Sequence, residues 1–474
     1  MNSRIWLMWI AVCMAGPAGA AEYFVDSKTG ADDNTGQSAA TAWKSLAPVK
    51  SHAFAPGDIV NFMPGSQFTE ALTLDDNGTQ EAPITFRISG TGEKPLFTGQ
   101  SIRISGDWNI VDGLMVKGTL REGVAISSTA NHNVVRNCEM TECGSGLSVQ
   151  GSDNLITKNY IHDLKMVTNT QDNKDDDNGA TGIWMHNSRI EISYNRFVNC
   201  KAPSYDYKFD GGAVEWWAEK TLDSCYIHHN FATGCEGFLE AGGRSSGVVS
   251  NSRVEYNVSV NNGWFGLLNS NGQYAVTLQN FVIQNNTVVQ TVPHGGWGAT
   301  RMIFFNNTTP KSLTIRNNIF SLVNWYVCDA STITHENNLF NLRGGGLGFT
   351  IGAKEKNGDP LFVDAATGDY RLKAVSPAID MGAAITTKLD QDGHPVPVGG
   401  APDAGAYEYQ GASSILAGED MRIRAEAAHL VRLQRGRVLY RASNRNRSGA
   451  SLAMPVSPMF IDAVGKVAPA PSGY

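Results

Sequence analysis

Two glutamates in matching glycine-led segments are the residues of this chain best suited to acid-base chemistry. GAVEWW begins at Gly212 and GFLEAG at Gly237, so Glu215 and Glu240 each stand fourth in their segment. Asp210 and Glu236 lie just ahead of the same two segments and add two more carboxyl groups. Carboxyls brought close together cannot all ionise cheaply, so such a set either shares protons, as a general acid and base do, or surrounds a cation. Trp216 and Trp217 follow Glu215, and Trp184 stands in the related segment GIWMHN. Indole faces suit a flat, partly apolar ligand, and packing on the scaffold is the alternative use. His186 stands fifth in GIWMHN and can serve as a base, although a structural histidine is the commoner case. Arg244, four residues past Glu240, and Lys208 supply positive charge nearby. The acidic run MVTNTQDNKDDDNGATG carries Asp172, Asp175, Asp176 and Asp177. Clustered carboxylates suit calcium, but Gly179 is out of register for an EF-hand, and an exposed acidic turn without an ion is the other reading.

Something must bring these segments together, and an internal repeat does so. Segments of the form apolar-x-apolar-x-Asn-apolar recur at Asn137, Asn159, Asn195, Asn230, Asn257, Asn286, Asn318 and Asn338, in steps of 20 to 36 residues. The shortest steps match one turn of a parallel β-solenoid, and the longer ones that turn plus a loop. Gly-led strands at Gly123, Gly146, Gly182, Gly212 and Gly237 fall between them. Equivalent residues of successive coils then stack about 4.8 Å apart. Glycine-to-glycine alignment stacks Ile126, Val149, Met185, Glu215 and Glu240 in one column, which sets both glutamates on the inward face unless a register shift or bulge re-aims them. Stacked asparagines exchange amide hydrogen bonds along the axis, a structural role. Cys200 and Cys235 fall on neighbouring coils, where stacking as small apolar groups is expected, with a disulfide as the alternative.

Composition narrows the partner. The 474 residues carry 38 basic and 45 acidic side chains, a net charge of -7, which disfavours nucleic acid as a partner. Ten tryptophans in a chain rich in Gly and Asn favour an uncharged or carbohydrate-like one. Residues 1–20 combine Arg4, an apolar run from Ile5 to Met14 and the small residues Ala18 to Ala20, which predicts an export signal cleaved near Ala20 and a secreted or periplasmic protein. No run approaches the length of a membrane span.

YFVDSKTGADDNTGQSAATAWKSL with PGDIVNFMPGSQF near the N-terminus, and SPAIDMGA with DAGAYEY near residue 400, resemble the ends of secreted bacterial right-handed parallel β-helix proteins of the pectate-lyase-like superfamily. The resemblance covers residues 22 to 410 and implies an all-β solenoid with an N-terminal cap and a looped C-terminal segment. The expected organisation is a signal at 1–20, cap and first coils at 21–100, coils bearing the site at 101–345, a closing segment at 346–410 and a basic tail at 411–474. The superfamily includes lyases, hydrolases, epimerases and non-catalytic adhesins, so fold alone does not select among them. Added to the acid cluster, the resemblance implies a polysaccharide-active enzyme acting as a monomer. The first expectation is a lyase that cleaves a uronic-acid polymer by β-elimination with calcium assistance, held by Asp175, Asp176 and Asp177. Arg244 would neutralise the uronate or take its proton. A glycoside hydrolase using Glu215 and Glu240, with Asp210 positioning water or substrate, and a carbohydrate-binding surface protein are the alternatives. Trp184, Trp216, Trp217, Lys208 and Glu236 are expected to line the substrate.

Overall fold

In a computed structural model the chain winds into rungs of short parallel strands. Residues 19–171, 174–244, 246–269, 273–292, 301–305, 312–328 and 333–411 are described. The expected export signal up to residue 18, Asp172 and the basic tail from residue 412 lie outside them. One face is a sheet of twelve strands, from Glu22–Val25 to Thr334–Glu336, each paired in parallel with its equivalent one turn on. The winding therefore starts at Glu22, and the short helix Ala47–Ser51 buries Val49 in the same core. Among the described residues no helix is long and apolar enough to cross a membrane.

Five rungs of a second sheet carry the residues of interest: β1 (Ser145–Val149), β2 (Thr181–Met185), β3 (Gly212–Ala218), β4 (Leu239–Gly243) and β5 (Gly266–Leu268). Alternation within each strand sends every second side chain inward. Leu147 and Val149, Ile183 and Met185, Val214 and Trp216, and Leu239 and Ala241 fill the interior in consecutive layers.

The turns are built by a pair of residues that recurs on each coil. Lys158, Tyr194, His229, Tyr256, Asn285, Asn317 and Asn337 adopt left-handed conformations with φ between 50° and 57°, and each precedes a ladder asparagine. That backbone is unfavourable for residues with a Cβ, and the buried amide ladder offsets the cost. Asn257 shows the pattern: its Oδ1 accepts from the backbone N–H and side-chain amide of Asn230, each at 2.9 Å. Its Nδ2 donates to the Ile227 carbonyl and to Asn286 Oδ1, each at 3.0 Å. The ladder runs Asn159, Asn195, Asn230, Asn257, Asn286, Asn318, Asn338. Asn137 is not part of it. Asn137 occupies the left-handed position (φ 54°), and Cys138 takes the ladder place, its N–H donating to Asn159 Oδ1 at 2.9 Å. With Cys138 as the reference, Cys143, Cys200 and Cys235 share a five-residue offset from the ladder. All six described cysteines are buried free thiols.

The C-terminal segment does more than close the last rung. It turns through the antiparallel pair Phe362–Asp364 and Asp369–Leu372, then runs back along the outside of earlier coils. Asn317 Nδ2 donates to Ala383 O at 2.8 Å, and His229 Nε2 lies 3.1 Å from Leu389 O. Met381, Ala404 and Ala406 bury apolar surface against Val258, Val289 and Ile319.

Candidate active site

Glycine-to-glycine alignment holds from β1 to β2 and from β3 to β4, but fails between β2 and β3. There Thr181 pairs with Gly212 and Trp184 with Glu215, so β3 is displaced by one residue. The displacement is set at Gly211, where a hairpin of Ala202–Ser204 and Lys208–Asp210 rejoins the coil. Gly211 has φ +118°, and a Cβ there would come within 2.7 Å of the Ala180 carbonyl oxygen, so glycine alone fits. Shifting a strand by one residue exchanges its two faces. The expectation that Met185 and Glu215 share a column is therefore corrected: Met185 stacks on Trp216, and Glu215 joins the outward column Ala125, Ser148, Trp184, Glu215, Glu240, Leu267.

Glu215 and Glu240 are direct partners across β3 and β4. Both are half-buried, between neighbours that are fully buried. Thr181 Oγ1 donates to Glu215 Oε2 at 3.3 Å, and Asn269 Nδ2 donates to Glu240 Oε1 at 3.0 Å. Burial, with the facing Glu240 and then Asp210, pushes the Glu215 carboxyl well above the ordinary range. Burial and then Asp210 push Glu240 up to about 8. Asp210 is itself pushed up to about 7, first by burial and then by Glu236 and Asp177, although the Gly211 N–H donates to its Oδ1 at 2.7 Å. At neutral pH this cluster retains protons that isolated carboxyls would release.

The other expected site residues divide. Trp184 and Trp217 are half-buried on the outward face, and the Trp217 ring lies 5.7 Å from that of Tyr274. His186 is also on this side, its ring 6.0 Å from Trp184, and burial lowers its pKa. Trp216 is not a ligand platform: the register shift turns it inward, where it is fully buried against Phe281. Glu236 is likewise out of a substrate's reach, fully buried and paired with Lys201 Nζ at 2.7 Å. Arg244 sits past the end of β4 on the exposed surface, its Nε 2.8 Å from Glu219 Oε1. Lys208 is exposed on the hairpin, 5.9 Å from the Phe209 ring centre.

Lys201, which also lies 4.0 Å over the Phe209 ring, was missed by sequence reasoning, yet a signal existed. It follows Cys200 as Glu236 follows Cys235, so aligning the thiols aligns this ion pair. Asn269, Tyr207 and Tyr274 carry no comparable signal, because their places depend on where loops fold; Thr181 is the first residue of β2, and its bond to Glu215 depends on the register of β3.

The acidic loop does not gather as expected. Asp176 and Asp177 group with Asp206 of the hairpin turn, ligand atoms within 4.8 Å of one another, and Asp175 stands apart from them. Among the described residues no other such triad occurs, so Glu215, Glu240 and Asp210 do not form one. The donors around Asp177 fit a turn knot better than calcium. Its Oδ1 accepts from the Thr170 N–H at 2.7 Å. Its Oδ2 accepts from the Ser204 hydroxyl at 2.8 Å and the Tyr205 and Asp206 N–H groups at 2.8 and 3.1 Å. Asp206 Oδ2 accepts from the N–H groups of Asp176 and Asp177, each at 3.0 Å. Calcium takes about six to eight oxygens with free lone pairs, and here hydrogens already point at them.

Parallel rungs and amide-laddered turns define a β-solenoid, with an acid pair on one of its outward columns. The chain belongs to the right-handed β-helix family, whose model, described as right handed beta helix region, matches residues 100–201 and 122–353. A 97-residue stretch is 32% identical to alpha-1,3-galactosidase A of Akkermansia muciniphila, covering 17% of this chain and only 16% of that protein. The structure of pectate lyase Pel9A matches with TM-score 0.54 at 17% identity, over 83% of this chain and 97% of that one, a likeness of fold. GH136 lacto-N-biosidase from Eubacterium ramulus matches at TM-score 0.42 and 14% identity, over 71% of this chain and 68% of that one.

Proposed function

We propose that this protein is a carbohydrate-active enzyme that hydrolyses glycosidic bonds with Glu215 and Glu240. The observation that carries the reading is their direct pairing across β3 and β4 on an outward column. Rung spacing of about 4.8 Å approaches the roughly 5 to 5.5 Å between carboxyls in retaining glycosidases, so the mechanism proposed is retaining. Glu215, which faces two other carboxyls, keeps its proton and serves as general acid to the departing oxygen. Glu240, whose anion is favoured by the Asn269 amide, attacks the anomeric carbon. Glu215, now ionised, then accepts a proton from the water that hydrolyses the glycosyl-enzyme. Trp184 and Trp217 flank the pair and offer faces to sugar rings.

β-Elimination on a uronate is the second reading, favoured by the charged hairpin that carries Lys208 beside Lys201. It asks for a base and a neutralising cation at the acid pair, and Arg244 is engaged with Glu219 on exposed surface. The hydrolytic step is proposed without calcium. A screen of neutral and uronate-containing glycans, with and without chelator, tests this. New reducing ends without ultraviolet absorbance from an unsaturated uronate, unaffected by chelator, support hydrolysis. Absorbing products that vanish on chelation overturn it in favour of the lyase.

A further inference from the structure

Asp175 links loops from opposite edges of the sheet face that carries Glu215 and Glu240. It belongs to the loop that leads into β2, on the side where the strands begin. Its carboxylate accepts from the Tyr207 hydroxyl, on the hairpin leading into β3. It also accepts from Gln273 Nε2 at 2.6 Å and from the Tyr274 hydroxyl at 3.2 Å. Those two residues follow β5, on the side where the strands end, and the Tyr274 carbonyl accepts from the Gly243 N–H at 3.1 Å. The link thus starts before β2, finishes after β5, and crosses the two rungs between them, β3 and β4. The first loop is itself braced on the hairpin, because Asn169 Nδ2 donates to Pro203 O at 3.0 Å and Asp177 accepts from Ser204 and Tyr205.

Tyr274 also flanks the acid pair. A Cβ built on Gly242 would meet Asn269 Nδ2 at 3.2 Å, and Glu240 Oε1 and the Tyr274 carbonyl oxygen each at 3.8 Å. The Tyr274 ring contacts Trp217 of the same outward face. This cover accounts for an otherwise odd combination: both glutamates stand on a solvent-side column, yet burial is the largest influence on each.

We propose that Asp175, Tyr207 and Tyr274 form a clasp over the Glu215–Glu240 pair, so that the site receives the end of a glycan chain or a short oligosaccharide and excludes the middle of a long polymer. The substrate class rests on the hydrolase reading, and the clasp itself does not. A chain lying across an open β-helix groove would need free passage over β3 and β4, where the joined loops stand.

The test has two arms on the full-length protein. In the first, wild type, Asp175→Ala and the double variant Tyr207→Phe/Tyr274→Phe are labelled with a water-soluble carbodiimide and taurine, and incorporation at Glu215 and Glu240 is mapped by mass spectrometry. The double variant keeps both rings if the alanine variant fails to fold. Losing hydrogen bonds to a charged group should raise labelling of the acids by roughly tenfold or more, with thermal stability largely retained. Equal labelling in wild type and a folded variant overturns the clasp whether or not the protein cleaves sugars. In the second arm, a soluble polymer cleaved in the glycan screen is followed by viscometry and product sizing. Wild type should release one small product while viscosity holds, and the variants should add intermediate fragments. An early fall in viscosity with wild type overturns the chain-end assignment.

Discussion

Glu215 lies directly across from Glu240 on adjacent parallel strands, and no residue of opposite charge pairs with either among the described residues. The cost of two carboxyls one rung apart is met by keeping a proton between them, which is the condition a general acid and a nucleophile need.

Neutralising either member should remove the chemistry and spare the fold. Glu215→Gln and Glu240→Gln should each lower kcat by about 10²- to 10⁴-fold, the usual range for a positioned proton donor or its partner. Melting temperature should hold or rise, because Gln can keep the same hydrogen bonds and adds no ionisable group beside the other carboxyls. Reducing-end assays beside thermal melts check both; full activity in either variant would refute the assignment.

The same pair predicts the pH response. Activity should rise as pH climbs toward about 8, where Glu240 gives up its proton and becomes the attacking anion, and fall at higher pH as Glu215 loses the proton it donates. The folded carboxyl of Glu240 holds its proton more tightly than the ordinary value near 4.5, so its contribution to stability is largest in acid and fades between about 4.5 and 8. Glu240→Gln should flatten the stability curve across that window, measured by denaturant titration.

Neighbouring tryptophans should behave oppositely. Trp216→Ala empties a core position and should cost about 3–5 kcal/mol. Trp217→Ala should leave melting nearly unchanged and raise KM, as expected for a half-exposed ligand platform. Comparable loss of stability in both variants would contradict the register described.

Within the ladder, Asn257→Ala should destabilise by roughly 2–4 kcal/mol, since buried groups on two coils lose partners. Asn257→Asp should not rescue it, because a carboxylate cannot donate to the Ile227 carbonyl.

The returning C-terminal segment should be acid-sensitive at His229. His228 and His229 approach with Nδ1 atoms 2.6 Å apart, His228 reaches Glu191 at 3.1 Å, and His229 faces the Leu389 carbonyl. Burial and then His228 lower the His229 pKa to about 4. Unfolded chains therefore take the proton first, so stability is complete above about 6.5 and declines as pH falls toward 4, by roughly 3 kcal/mol in total. Asp403 and Glu408, raised to about 6 and 7, act in the reverse sense nearby. The informative measurement is the difference in unfolding free energy between wild type and His229→Gln, which should narrow as pH falls.

The amino-acid sequence determined the winding, the rung spacing, the amide ladder and the presence of an acid cluster on two adjacent coils, because each is a periodic property that repeats until it is visible. It could not determine which face the acids occupy. That depended on a one-residue displacement at Gly211, where the length of the preceding hairpin and the room beside the Ala180 carbonyl fix the register of β3. Nor did it reveal that Asp175 would leave its neighbours for Tyr207 and Tyr274, some hundred residues apart in the latter case, since loop contacts of that range have no period to read. Tertiary structure made both decisions, through steric fit at one glycine and hydrogen bonding between loops that only the stacked coils bring within reach.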